Sequence, residues 1–126
     1  MSNDTQNDDD GYDYLVEAAY EALEESGFRD IRVSGYEDMP EPDAINGHVP
    51  DLQATNSKGI VYLFEICPRE AFAIAELVDR MQAFTAHAAA TKAQVILLVP
   101  EGDEDIAGAF LEEHDISEDN LTIWEA

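Results

Sequence analysis

The spacing of apolar residues predicts alternating helices and strands along most of the chain. Leu15, Ala19 and Leu23 recur at the four-residue interval of one helix face, and Gly27 fits the position that ends such a helix. Short apolar runs bounded by turn-forming residues predict strands. We expect, in order, a helix at 12–28, strands at 30–34, 48–55 and 60–67, a helix at 69–91, a strand at 93–99, a helix at 103–114 and a strand at 121–125.

Two of the predicted strands, 60–67 and 93–99, are almost continuously apolar, which is typical of central strands buried on both faces. The tight connection between 48–55 and 60–67 predicts an antiparallel hairpin, whereas the helix before 93–99 is a crossover that favours parallel pairing. The pattern therefore predicts an α/β fold, a three-layer α/β/α sandwich with a mixed central sheet.

The chain of 126 residues has the length of one domain. Residues 1–11 are rich in Asn and Asp and predict a disordered acidic tail, which leaves 12–126 as the single folded domain. No apolar run approaches the ~20 residues of a transmembrane helix, and no secretory signal is apparent. A single cysteine excludes an internal disulfide framework. We expect a cytoplasmic domain that does not engage a membrane.

The charge is strongly negative, since 29 acidic residues stand against 6 basic ones and give a formal net charge of −23. Such a charge repels nucleic acid and destabilises the compact state. Molar salt shortens the Debye length to about 3 Å and removes most of both effects. Acids spread along the whole chain rather than gathered in one tail, with only two lysines, indicate a protein adapted to high salt. The alternative is an acidic mimic of nucleic acid that binds basic partners.

The predicted hairpin carries two acids, Asp51 and Glu65, and their relative orientation depends on the turn. A three-residue loop closed by a left-handed Gly59 would set Asn56 opposite Ile60. A loop one residue shorter or longer would place the two acids on opposite faces of the sheet. Gly59 favours the three-residue loop, so both carboxylates are expected on one face.

In that register Asp51 lies opposite Glu65, and Val49 lies opposite Cys67. Two facing carboxylates repel each other, and burying such a pair in central strands lowers the stability of the fold. Hard cations such as Mg²⁺ prefer carboxylate and carbonyl oxygens, so Asp51 and Glu65 are candidate metal ligands. The alternative is that Asp51 lies in solvent at a strand end and Glu65 pairs with Arg69.

The string Pro50-Asp51, thirteen intervening residues and Glu65-x-Cys67 resembles the PD-(D/E)xK nuclease motif. The predicted order of elements over 12–100 is similar to the restriction-endonuclease-like core, and the hairpin is similar to that of archaeal-type Holliday-junction resolvases. The resemblance implies that Asp51 and Glu65 bind Mg²⁺ and that Cys67 occupies the position of the catalytic lysine. The candidate catalytic residues are therefore Asp51, Glu65 and Cys67.

The cysteine is a departure from the motif, because a thiol cannot supply a fixed positive charge to a developing anion. We therefore expect a nuclease-superfamily domain with a degenerate metal site, catalytically weak or inactive, with a role in nucleic-acid metabolism and nucleic acid as a partner at high salt. Two alternatives stay open. One is an active Mg²⁺-dependent deoxyribonuclease with a substituted lysine, and the other is an acidic, non-catalytic interaction or structural domain of a halophile.

The predicted helix 69–91 has apolar residues on most of its circumference, more than one sheet face can cover. Either the last helix packs on it or a second copy of the chain does, which predicts a homodimer through 69–91.

The charge pattern predicts a strong dependence of stability on salt. The free energy of unfolding, measured by urea denaturation at increasing KCl, should rise markedly between low and molar salt because screening relieves the repulsion among the acids. An acidic mimic with a stable low-salt fold would instead keep a nearly constant free energy of unfolding across the same titration.

Overall fold

Three α-helices and a five-stranded mixed sheet form the protein. The computed structural model describes residues 3–126, and of residues 3–10 it describes the backbone alone. The elements are α1 (Asn3–Glu25), β1 (Arg29–Val33), β2 (Leu52–Thr55), β3 (Val61–Ile66), a short 3₁₀ helix (Arg69–Ala73), α2 (Glu76–Thr91), β4 (Gln94–Val99), α3 (Glu104–Glu113) and β5 (Leu121–Glu125). The strands lie in the order β1-β2-β3-β4-β5. β1, β2 and β3 pair antiparallel, and β3, β4 and β5 pair parallel, so the predicted α/β fold with a mixed sheet is confirmed.

Alternate side chains of the central strands pack on opposite faces of the sheet. Phe64 and Ile96 lie in the cluster that contains the buried face of α1, whereas Leu63 and Val95 lie in the cluster that contains α2 and α3. All four side chains are at most 2 % exposed. The almost continuous apolar runs of β3 and β4 are thus explained by helices on both faces, each buried side chain contributing about 1.5–3 kcal/mol.

The β2–β3 hairpin has the predicted register. Leu52 pairs with Phe64, and Thr55 pairs with Val61. Gly59 has φ +83°, the left-handed conformation that glycine adopts at little cost. The Asn56 N–H donates to the Ile60 carbonyl at 2.9 Å, and the Gly59 N–H donates to the Asn56 carbonyl at 3.0 Å. The turn therefore fixes which side chains of the two strands share a face.

The hairpin ladder is shorter than predicted, because β2 begins at Leu52 rather than at residue 48. The predicted pairing of Val49 with Cys67 is wrong. The Cys67 N–H donates to the Leu98 carbonyl of β4 at 2.8 Å, and the Val49 carbonyl accepts from Arg80. Pro50 has no N–H to give to a ladder, which is consistent with the end of regular pairing at this point.

The predicted continuous helix 69–91 is also wrong. A 3₁₀ helix ends at Ala73, Ile74 is extended, and α2 begins at Glu76. The break lets Phe72 pack edge-on against Phe110 of α3, with 5.3 Å between ring centroids. Leu77, Met81, Phe84 and Ala88 of α2 are buried within the chain, whereas Ile74 stays 58 % exposed. The homodimer through 69–91 stays a prediction.

Helix α1 begins at Asn3, whereas the prediction placed its start at residue 12 and a disordered tail at 1–11. Residues 1–2 and the side chains of residues 3–10 lie outside the description, so the disorder of this segment stays a prediction. At the other end the Phe28 N–H donates to the Leu23 carbonyl at 3.0 Å, and Gly27 has φ +81°. This is the predicted glycine stop of the helix.

The prediction that the chain has no transmembrane helix can be compared with the helices of the structure. Within residues 3–126, none of them combines the length and the apolar character needed to span a bilayer.

Candidate functional site

Asp51 lies where the regular β2–β3 ladder ends, and its carboxylate replaces a backbone partner there. The Asp51 N–H donates to the Phe64 carbonyl at 3.0 Å. Its Oδ2 accepts the Ile66 N–H at 2.7 Å, and its Oδ1 accepts the Tyr12 hydroxyl at 2.8 Å. Both oxygens of Asp51 are therefore held by protein donors, one from β3 and one from α1.

Glu65 is buried on β3, 6 % exposed, and is bound by a single arginine of α2. The Arg80 Nε donates to Glu65 Oε2 at 3.1 Å, and Nη2 donates to Oε1 at 2.8 Å. Nη2 also donates to the Val49 carbonyl at 2.7 Å. This fork-to-fork geometry is the strong form of a carboxylate–guanidinium pair.

The packing of α2 positions Arg80. Leu77, Met81 and Phe84 follow the helix repeat and are buried against the sheet, so Arg80 lies at the edge of the same face. The Arg80 guanidinium lies 5.4 Å from the centroid of the Phe84 ring, and the Arg80 side chain is 18 % exposed. The cation thus reaches Glu65 from a helix whose own apolar stripe anchors it to β3.

The two carboxyl groups of Asp51 and Glu65 have only one positively charged side chain, Arg80, beside them to balance their negative charge. Burial, followed by the negative charge of Asp51, raises the pKa of Glu65 from 4.5 to about 8. Burial also raises the pKa of Asp51, against the hydrogen bonds from Ile66 and Tyr12. One guanidinium faces two carboxyls, so the two groups titrate as a coupled pair, and the shortage of positive charge favours the protonated form of Glu65. The Tyr12 phenol stays protonated, because burial and the Asp51 charge raise its pKa.

Cys67 is fully buried beside this cluster. Burial, followed by the charges of Glu65 and Asp51, raises the pKa of its thiol well above the ordinary value. The neutral thiol supplies neither the positive charge of a lysine nor a thiolate ligand. Cys67 therefore packs as a neutral, buried side chain beside the cluster.

The carboxylate oxygens of Asp51 and Glu65 are engaged by protein donors. All four of their carboxylate oxygens already accept hydrogen bonds from Tyr12, Ile66 and Arg80. Among the described residues, no three His, Cys, Asp or Glu side chains come together as a metal-binding group.

A cavity of about 540 Å³ opens above the cluster. Asp51, Glu65 and Arg80 lie in its wall, together with Glu70 of the 3₁₀ helix and Ile74 from the helix break. Since Arg80 is bonded to Glu65, this wall offers acidic oxygens and apolar surface rather than an open positive charge. The cavity as it stands is poorly matched to a phosphate group.

The structure brings Asp51, Glu65 and Cys67 to one end of the sheet, as the hairpin predicted, but their cation was not predicted. Arg69, the partner considered for Glu65, instead binds Asp103 at 2.8 Å. Arg80 could have been identified from its spacing, because a single basic residue on an otherwise apolar stripe of α2 needs a buried partner. Tyr12 carries no local signal of this kind.

The whole chain matches no protein-family model, no curated protein and no solved structure in comparisons with each. The interpretation of the site therefore depends on the geometry of these residues alone.

Removal of the cation should strongly destabilise the protein. In Arg80→Met, Asp51 and Glu65 lose their positive partner while buried, and we expect a cost of about 3–5 kcal/mol in the free energy of unfolding, measured by urea denaturation in molar KCl. The control Arg32→Met removes surface pairs with Asp30 and Asp43 and should cost under about 1 kcal/mol. Equal losses in the two variants would contradict the structural role of Arg80.

The raised pKa of Glu65 predicts a pH dependence with a defined sign. Between about pH 4.5 and pH 8 the folded state keeps a proton that the unfolded state has lost, so the free energy of unfolding should fall as the pH rises through this range. Glu65→Gln cannot titrate and should show a smaller fall. The control Glu101→Gln, at an exposed position, should follow the wild type, and coincident curves for the two variants would refute the assignment.

Proposed function

We propose that this chain is a nuclease-superfamily domain with a restriction-endonuclease-like fold whose metal site has been replaced by an internal ion pair. In this proposal the domain is catalytically inactive and acts in nucleic-acid metabolism as a non-cleaving member of its class. In this proposal the cavity beside Asp51 and Glu65 holds a structural cluster instead of a metal ion.

The hairpin geometry supports the kinship. Asp51 ends the ladder of β2, Glu65 lies near the end of β3, and both carboxyls line one cavity. A crossover through α2 then leads to the parallel strand β4. A pair of carboxylates brought together at the end of an antiparallel hairpin is a costly feature, and divalent-metal binding is a chemical reason for such a pair to arise.

The single observation that carries the loss of catalysis is the binding of Arg80 to both oxygens of Glu65. A side-chain cation that is bonded in this way offsets the negative charge of Glu65, and it competes with a metal ion for both of its oxygens. Cys67, neutral and buried, supplies no alternative charge. These two features together favour the inactive domain over an active deoxyribonuclease.

The test removes the positive charge of Arg80 on α2 and introduces one at position 67, where the nuclease motif has a lysine. The double variant Arg80→Met, Cys67→Lys frees Glu65 and places an ammonium two residues after it. We expect the wild type in molar KCl neither to bind Mn²⁺, followed by electron paramagnetic resonance, nor to cleave plasmid DNA with Mg²⁺ or Mn²⁺. The double variant should bind Mn²⁺, and Asp51→Asn added to it should abolish that binding.

The possible results separate the three functions. Metal-dependent cleavage by the wild type that Asp51→Asn abolishes would establish the active deoxyribonuclease and refute the proposal. A folded double variant that neither binds Mn²⁺ nor cleaves DNA would remove the kinship with metal nucleases and leave an acidic interaction domain. Circular dichroism in the same buffer verifies that each variant is folded before it is assayed.

A further inference from the structure

The two edges of the sheet are built differently, and the β1 edge is protected. Asp30 has φ +54°, and the register of β1 shifts between Arg29 and Arg32. The Val33 N–H donates to the Pro40 carbonyl at 2.9 Å, so the following loop covers part of this edge. Charged residues, an irregular register and a covering loop are the usual means by which an edge strand avoids further pairing.

The β5 edge is open in the described chain. The Asn120 carbonyl accepts from Val95 at 2.8 Å, and the Ala126 N–H donates to Val99 at 3.0 Å, so the even-numbered residues turn their backbone groups toward β4. By alternation, Ile123 and Glu125 turn their N–H and carbonyl groups away from the sheet. No backbone partner for these outward groups is found in the part of the chain that the structure describes.

Strand β5 also lacks protection in its side chains. Residues 121–124 read Leu-Thr-Ile-Trp, without charge, proline or glycine, and the register with β4 has no irregularity. The one charged residue, Glu125, is tied down, because its Oε2 accepts the N–H groups of Gly102 and Glu104 at 3.1 and 3.2 Å. An uncharged edge strand with regular geometry is a template for another strand.

The two faces beside this edge differ in chemistry. A groove of about 450 Å³ between α3 and β5 is lined by Glu104, Asp105, Gly108, Glu112, Glu118 and Ile123. Gly108 leaves room in the groove, and carboxylates surround it. On the opposite face of the sheet the half-buried Trp124 packs edge-on against Phe64, with 5.4 Å between ring centroids. A strand added at this edge would meet acids on one side and apolar surface on the other.

We propose that β5 binds an extended segment of a partner protein as a sixth strand, with basic residues directed toward α3 alternating with apolar residues directed toward Trp124. Outward backbone groups of Ile123 and Glu125 would bond the segment, and the groove acids would select its basic face. This inference concerns the β5 edge and does not depend on the Asp51–Glu65 site.

A second copy of the chain fits this edge less well. Antiparallel pairing of two β5 strands continues the sheet across a twofold axis and keeps both α3 helices on the same face. Asp105, Glu112 and Glu118 of each copy would then face the same acids of the other. Like charges brought together at an interface oppose association, whereas a basic strand turns the same acids into attractive contacts.

The test uses a fluorescein-labelled peptide that alternates lysine and valine over seven residues. We expect saturable binding, measured by anisotropy at the lowest KCl concentration at which circular dichroism shows the fold. The same peptide, N-methylated at the residues that bond the edge, should bind at least tenfold more weakly, and a glutamate–valine peptide should not bind. The N-methylated peptide carries the same charge, so it separates strand pairing from attraction to an acidic protein.

Protein variants locate the binding at β5. Ile123→Pro removes an outward N–H that the β4 pairing does not use and should weaken binding at least tenfold. Asp105→Lys with Glu112→Lys should also weaken it, whereas the matched control Glu37→Lys with Asp38→Lys, on an exposed loop elsewhere, should not.

Three results would overturn the proposal. The N-methylated peptide could bind as tightly as the parent, which would reduce the effect to charge alone. A second such result is that the lysine–valine peptide shows no binding to the wild-type protein. Sedimentation could show a wild-type dimer that Ile123→Pro dissociates, which would assign the edge to a second copy.

Discussion

The ion pair between Arg80 and Glu65 is the interaction on which the candidate site depends. The hairpin register brings Asp51 and Glu65 together, and burial makes two adjacent negative charges untenable without a positive partner. Arg80 provides that charge from α2, and through its bond to the Val49 carbonyl it also joins the loop before β2 to the sheet. One side chain therefore links three separate segments, and the chemistry open to the site follows from where that cation sits.

The features that were predictable from the sequence are those determined by neighbouring residues. Gly59 sets the loop length, the loop length sets the register, and the two-residue period of a strand then places Asp51 and Glu65 together. The almost continuous apolar runs of β3 and β4 likewise required helices on both faces of the sheet. These inferences succeeded because turn chemistry and side-chain alternation act over a few residues and leave few alternatives.

The features that were missed depend on contacts between distant segments. The helix expected at 69–91 breaks at Ile74, and the break places Phe72 against Phe110, a residue 38 positions later in the chain. Arg80 was one of six basic residues in a very acidic chain, and composition alone gives no reason to place it inside. Its position beside Leu77 and Phe84 is a usable signal only once that face of α2 is known to be buried. Helix periodicity predicts a face, but it does not predict what the face meets.

The acidity of this chain has two different physical consequences. A buried acid needs a positive partner within the fold, as Glu65 has in Arg80, because salt screens a buried charge much less than an exposed one. Exposed acids such as those beside β5 can be balanced by salt or by a partner. A chain in which 28% of residues are charged has ample means to block an edge strand, and β1 uses them with Arg29, Asp30 and Arg32. By contrast, β5 has four consecutive uncharged residues, so its outward backbone groups stay available for pairing. The nearby carboxylates lie on α3 instead, where they select which strands can approach this edge.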